Sequence, residues 1–216
     1  MSEHKDWAAL PSPGLVAAGL AFRAAFSAVM DVPPRYAPEP ERAVYGDGGG
    51  SSFVLALDGT APVLVTRDRD EFDVQLSFEE IRAALGPMEF FEPFNGEPDR
   101  YFSGAARWDG ASWAPAIGVP GRVVAHLVDD EHLLAEADIA LGEVAEGESD
   151  REALVALLTA VRAGAWDRET VGAAVRLVPY EEDDVLEAGP DPDAALDVLD
   201  RYSPLLSRAM AAHPER

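Results

Sequence analysis

Phe53-Val54-Leu55-Ala56-Leu57-Asp58-Gly59-Thr60-Ala61-Pro62-Val63-Leu64-Val65-Thr66 is the stretch that decides the fold. Two short apolar runs flank an Asp-Gly pair, whose residues tolerate the backbone of a tight turn. A β-hairpin is the expectation. Downstream, Phe72-Asp73-Val74-Gln75-Leu76 alternates apolar and polar residues strictly, which predicts a third strand with one wet face. Ser77-Phe78-Glu79-Glu80 then has the spacing of a capping box, opening a short helix through Ile81, Ala84 and Leu85 that Gly86 ends.

Upstream, residues 31–50 read as turn material. Pro33, Pro34, Pro38 and Pro40 precede the glycine run Gly46-Asp47-Gly48-Gly49-Gly50. Before them, Gly14 to Met30 is the one long apolar run. It is shorter than the roughly 20 residues a spanning helix needs, and Arg23 interrupts it. The preceding residues lack the basic start of a secretory signal. A buried helix is expected instead, capped by Ser12 with Pro13 at its first position. Leu15, Gly19, Phe22, Phe26 and Met30 form its stripe, which Val16, Leu20 and Val29 widen.

The middle of the chain is aromatic. Phe90, Phe91, Phe94, Tyr101, Phe102, Trp108 and Trp113 fall close together, and Asp109-Gly110 predicts a second hairpin. Val123, Val124, His126 and Val128 suggest a strand. Beyond residue 129 the pattern turns helical. Ser149-Asp150-Arg151-Glu152 reads as a second capping box before Leu154, Leu157, Leu158 and Val161, with Gly164 as the stop. Asp191-Pro192 opens a further helix carrying Leu196, Leu199 and Tyr202, expected to break and restart at Ser203-Pro204. Ala173 to Tyr180 reads as a strand. The fold class is therefore α+β: an antiparallel sheet built from hairpins, an N-terminal buried helix and a helical C-terminal part. Residues 1–142 would form an α+β domain. Residues 143–216 would form the helical part, either packed on the same core or separate from it.

The chain has 216 residues, with 17 basic and 40 acidic side chains, a net charge of −23 and no cysteine. Such a balance excludes nucleic-acid binding through a general phosphate-neutralising surface, and it disfavours an anionic membrane surface. Without cysteine, thiol nucleophiles and thiolate metal sites are excluded, and a reducing, cytoplasmic setting is expected. Residues 1–128 hold 18 acids and 10 bases, whereas residues 129–216 hold 22 and 7. Salt adaptation, solubility and a basic protein partner each account for such a surplus.

Of the four histidines, His4 and His213 lie near the chain ends. His126, Asp130 and His132 are the candidate metal ligands, since oxygen and nitrogen donors of this kind suit Zn²⁺, Mn²⁺ or Fe²⁺. Their spacing matches no established metal motif, and a strand end running into a helix capped by Asp129 or Asp130 is the plainer reading. No cofactor is expected. The glycine run lacks the Lys and the spacing of a P-loop, so a flexible entry to a strand is its reading. Asp68, Asp70, Glu71 and Asp73, interleaved with Arg67 and Arg69, read as a solvated loop. Tyr101, Phe102, Trp108, Asp109 and Trp113 are the candidate partner-binding residues, because aromatic side chains amid acids suit a basic, partly apolar partner. Sheet packing is the plainer reading of the same aromatics.

The glycine run, the two strands at 53–57 and 62–66, and Ser77-Phe78-Glu79-Glu80-Ile81 together resemble the SUKH family over roughly residues 44–86. The family's opening helix followed by a Leu-Pro-x-x-Tyr-type segment is not matched, since Leu10-Pro11 precedes the first helix here. What the resemblance implies is a small acidic binding module without catalysis, of the immunity type that neutralises toxins. Three functions are carried forward: an acidic module for a basic protein, a metal-dependent enzyme using His126, Asp130 and His132, and a structural subunit of a larger assembly. The oligomeric state is left open.

Overall fold

The computed structural model describes residues 6–29, 36–39, 41–46, 50–57, 60–69, 73–86, 101–121, 124, 131, 133–134, 148–176 and 192–212. A single 3₁₀ turn, Trp7–Ala9, precedes helix α1 (Pro13–Val29). Strands β1 (Tyr36–Glu39), β2 (Arg42–Gly46), β3 (Ser52–Ala56) and β4 (Val63–Arg67) follow. Next come α2 (Phe78–Leu85), β5 (Gly104–Trp108) and β6 (Trp113–Gly118). Helices α3 (Glu148–Ala163), α4 (Arg168–Val175) and α5 (Pro192–Ala211) complete the described elements. The fold is α+β.

The six strands form one antiparallel sheet in sequence order, β1-β2-β3-β4-β5-β6. The decisive hairpin is present. Its register pairs Ala56 with Val63, so residues 57–62 make the connection, and Asp58 and Gly59 lie outside the described residues. The second hairpin pairs Trp108 with Trp113 around Asp109-Gly110-Ala111-Ser112. There Asp109 Oδ1 accepts the backbone N–H groups of Ala111 and Ser112, both at 2.8 Å. Gly110 takes φ +100°, which explains why glycine follows the aspartate.

Two sequence expectations about the sheet need correction. Residues 36–39 and 42–46, read as turn material, are β1 and β2. Pro38 is compatible with this because β1 is an edge strand, where a missing N–H need not break a central ladder. Conversely, in the alternating stretch Phe72 to Leu76 the described residues, 73–76, form no strand of the sheet, and Phe72 lies outside the described residues. Both neighbours of β4 are already taken by β3 and β5, so no edge is free beside it. Among the described residues of that stretch Leu76 alone pairs, exchanging two backbone bonds with Phe102 at 2.9 and 2.8 Å.

Both faces of the sheet are covered, and alternation assigns the side chains. Ala43, Tyr45, Phe53, Leu55, Leu64, Ala106, Trp108 and Trp113 pack with α1 and the C-terminal helices. Val54, Ala56, Val63, Val65, Ala105 and Phe102 pack with Ile81 and Leu85 of α2. The α2 capping box is complete: Ser77 Oγ accepts from the Glu80 backbone N–H at 3.3 Å, and Glu80 Oε2 accepts from that of Ser77 at 2.8 Å. Gly86 ends the helix at φ +78°, and Arg107 donates to the Leu85 carbonyl.

α1 is buried around most of its circumference. Val16, Leu20, Phe22, Phe26 and Val29 are buried, as are the small Ala17, Ala18, Ala21, Ala24 and Ala25, which let neighbouring backbones approach. Leu15, expected on the stripe, is instead 38% exposed; Met30 lies outside the described residues. Arg23 stays at the margin, where its Nη1 donates to Tyr45 Oη at 3.3 Å and its guanidinium stands 5.3 Å from that ring's centre.

α1 packs most extensively on α5, and also on α3. Residues from before and after position 142 thus share one hydrophobic core. Leu154, Leu157, Leu158 and Val161 face it as the periodicity predicts, and Gly164 stops α3 at φ +63°. α3 begins at Glu148, so Ser149 is inside the helix rather than before it. Two further expectations fail. Ala173 to Val175 belong to α4, whose N-cap Asp167 accepts the Thr170 N–H at 2.7 Å. α5 is continuous through Pro204. Proline inside a helix costs about 3 kcal/mol, yet buried Leu199 and Tyr202 before it and Leu205, Leu206 and Ala209 after it hold both halves on the core. Each such side chain contributes on the order of 1.5–3 kcal/mol by burial, which outweighs the break.

Candidate functional site

The aromatic candidates do not form a surface. Phe102 is buried on the α2 side, while Trp108 and Trp113 are buried on the opposite side, their rings edge to face at 5.4 Å between centres. Trp108 and Trp113 are paired directly across β5 and β6, so both point to one face, where β6 meets the Trp7–Ala9 turn, whereas Phe102 precedes β5 and pairs with Leu76. Trp113 Nε1 also donates to the Pro11 carbonyl at 2.6 Å, so its polar edge is used within the fold. Tyr101 is 54% exposed and Asp109 is exposed. They bracket β5, and an extended chain of eight residues separates them by roughly 25 Å. The five residues therefore do not assemble one partner-binding patch.

His126, Asp130 and His132 lie outside the described residues. Among the described residues, no group of three or more His, Asp or Glu is placed to hold a metal ion.

A different cluster collects the unusual chemistry. Among the described residues, the buried polar side chains are Ser51, Thr66, Asp68 and Ser103, and all four meet at the end of the sheet marked by Gly46. The Asp68 N–H donates to Ser103 Oγ at 2.6 Å, and the Arg69 N–H donates to Ser51 Oγ at 3.1 Å. Ser51 Oγ in turn donates to Asp68 Oδ1 at 3.4 Å. Thr66 Oγ1 reaches the Gly104 and Val119 carbonyls at 3.4 and 3.5 Å. These hydroxyls continue the hydrogen bonding of the ladder past the strand ends, where unpaired backbone groups would otherwise be costly. Glycine makes the junction possible: a Cβ at Gly104 would stand 2.6 Å from the Val119 carbonyl oxygen, and Gly118 sits at φ +68° against Ser103.

The reading of Asp68 as part of a solvated loop is corrected by this geometry. Asp68 is buried, whereas Asp73 is exposed; Asp70 and Glu71 lie outside the described residues. The arrangement binds loops to one another. Among the described residues the ionisable side chain beside Ser51 is the Asp68 carboxylate, which accepts its hydroxyl and is itself tied into the loop junction.

Glu41, Asp73, Glu79, Glu80, Asp109, Asp167, Glu169, Asp193, Asp197 and Asp200 are exposed. Several of them do structural work there: Glu41 pairs with Arg208, Asp193 with Arg168, and Asp200 accepts from the Trp166 indole. Backbone donors hold Glu80, Asp109 and Asp167 below their ordinary pKa, chiefly through Ser77, Ser112 and Thr170 respectively. Each favours its ionised form because that form accepts the hydrogen bond. No described helix is long and apolar enough to cross a membrane. No family model, curated protein or solved structure matches the chain.

Proposed function

We propose that the chain is an acidic, non-enzymatic binding module whose partner is a basic protein, acting in the cytoplasm. An immunity-type inhibitor of a basic toxin, as the SUKH resemblance implies, is the specific form of this reading. One observation carries it: acids outnumber bases by 23, and the carboxylates of α2, α4 and α5 among the described residues are exposed. Most of the surplus therefore has no basic side chain within the chain to neutralise it. Such a surface attracts a cationic partner, speeds its encounter and repels acidic competitors. The reading relies on the exposed carboxylates of α2, α4 and α5, such as Glu79, Glu169 and Asp197, and not on the buried tryptophans.

Affinity capture from the native cell extract, at low and at high salt, tests the proposal. A basic protein retained at low salt and released at high salt is the expected result. Capture of no protein, together with folding stability that climbs steeply with salt, would assign the charge to salt adaptation instead.

A further inference from the structure

We draw no further inference here: the strongest candidate, the buried polar cluster of Ser51, Thr66, Asp68 and Ser103 at the Gly46 end of the sheet, carries nothing beyond the fold, because its members bond to one another and to the adjoining backbone and nothing among the described residues points to a ligand there.

Discussion

Trp7 and Trp113 hold the N-terminal segment and strand β6 together by reciprocal indole hydrogen bonds. Trp7 Nε1 donates to the Gly118 carbonyl at 3.0 Å, and Trp113 Nε1 donates to the Pro11 carbonyl at 2.6 Å. Both rings are buried, so each residue supplies apolar area and a directed bond at once. The segment before α1 is thereby fixed against the edge of the sheet.

Replacing Trp113 separates these contributions. Trp113→Phe keeps an aromatic ring and loses the donor, and should cost about 1 kcal/mol. Trp113→Ala also empties the space against Trp108, and should cost about 3–5 kcal/mol. Urea unfolding of the two variants measures both values. A surface tryptophan would give changes within about 0.5 kcal/mol for either substitution.

Gly118 and Gly172 should respond to alanine in opposite directions. At Gly118 the positive φ and the Ser103 carbonyl leave no room for a Cβ, so Gly118→Ala should destabilise by several kcal/mol or prevent folding, an estimate that follows the usual range for strain and overpacking. At Gly172, inside α4, nothing lies within 4 Å of the added atom. Gly172→Ala should stabilise by about 0.5–1 kcal/mol, through helix propensity and a less free unfolded chain. Thermal melts of the pair check the contrast.

The capping residue Ser77 gives a third test. Ser77→Ala removes the acceptor for the Glu80 N–H and should cost about 1 kcal/mol. Ser77→Asp restores an acceptor and should recover most of the loss. Amide exchange of α2 reports whether the effect is local to that helix.

Stability should fall at acid pH for an identifiable reason. Glu80, Asp109 and Asp167 have folded pKa values below their ordinary ones, so each binds protons more weakly in the folded state. Their contribution is present above the ordinary carboxylate pKa and is lost as pH falls through the lowered folded value. Relief of repulsion among the surplus acids acts in the opposite direction as they are protonated. Asp109→Asn keeps an acceptor without the charge, so its variant should lose less stability than the parent on acidification, measured by urea midpoint against pH.

The legible parts of this fold are those written in neighbouring residues. Ser12-Pro13, the Ser77–Glu80 box, Asp109-Gly110 and Gly164 act within one turn of chain, and all appear in the structure. β1 and β2 were hidden because Pro38 and Gly46 signal turns, while what makes them strands is pairing with β3. α4 was hidden by the branched and aromatic run after Ala173, whereas Asp167 and Thr170 start the helix upstream. Continuity through Pro204 depends on contacts with α1 that no local pattern shows. The buried polar cluster was illegible for the same reason. Its members lie at positions 51, 66, 68 and 103, and only the register of β3, β4 and β5 brings them together.

The central claim, that surplus carboxylates recruit a basic protein, is tested most directly by the association rate of the captured partner as a function of salt. Between about 0.01 M and 1 M salt the Debye length shrinks from about 30 Å to about 3 Å. The account predicts an association rate that falls by at least about tenfold over that range, with a smaller change in dissociation. A partner whose association rate stays constant across the range would contradict it.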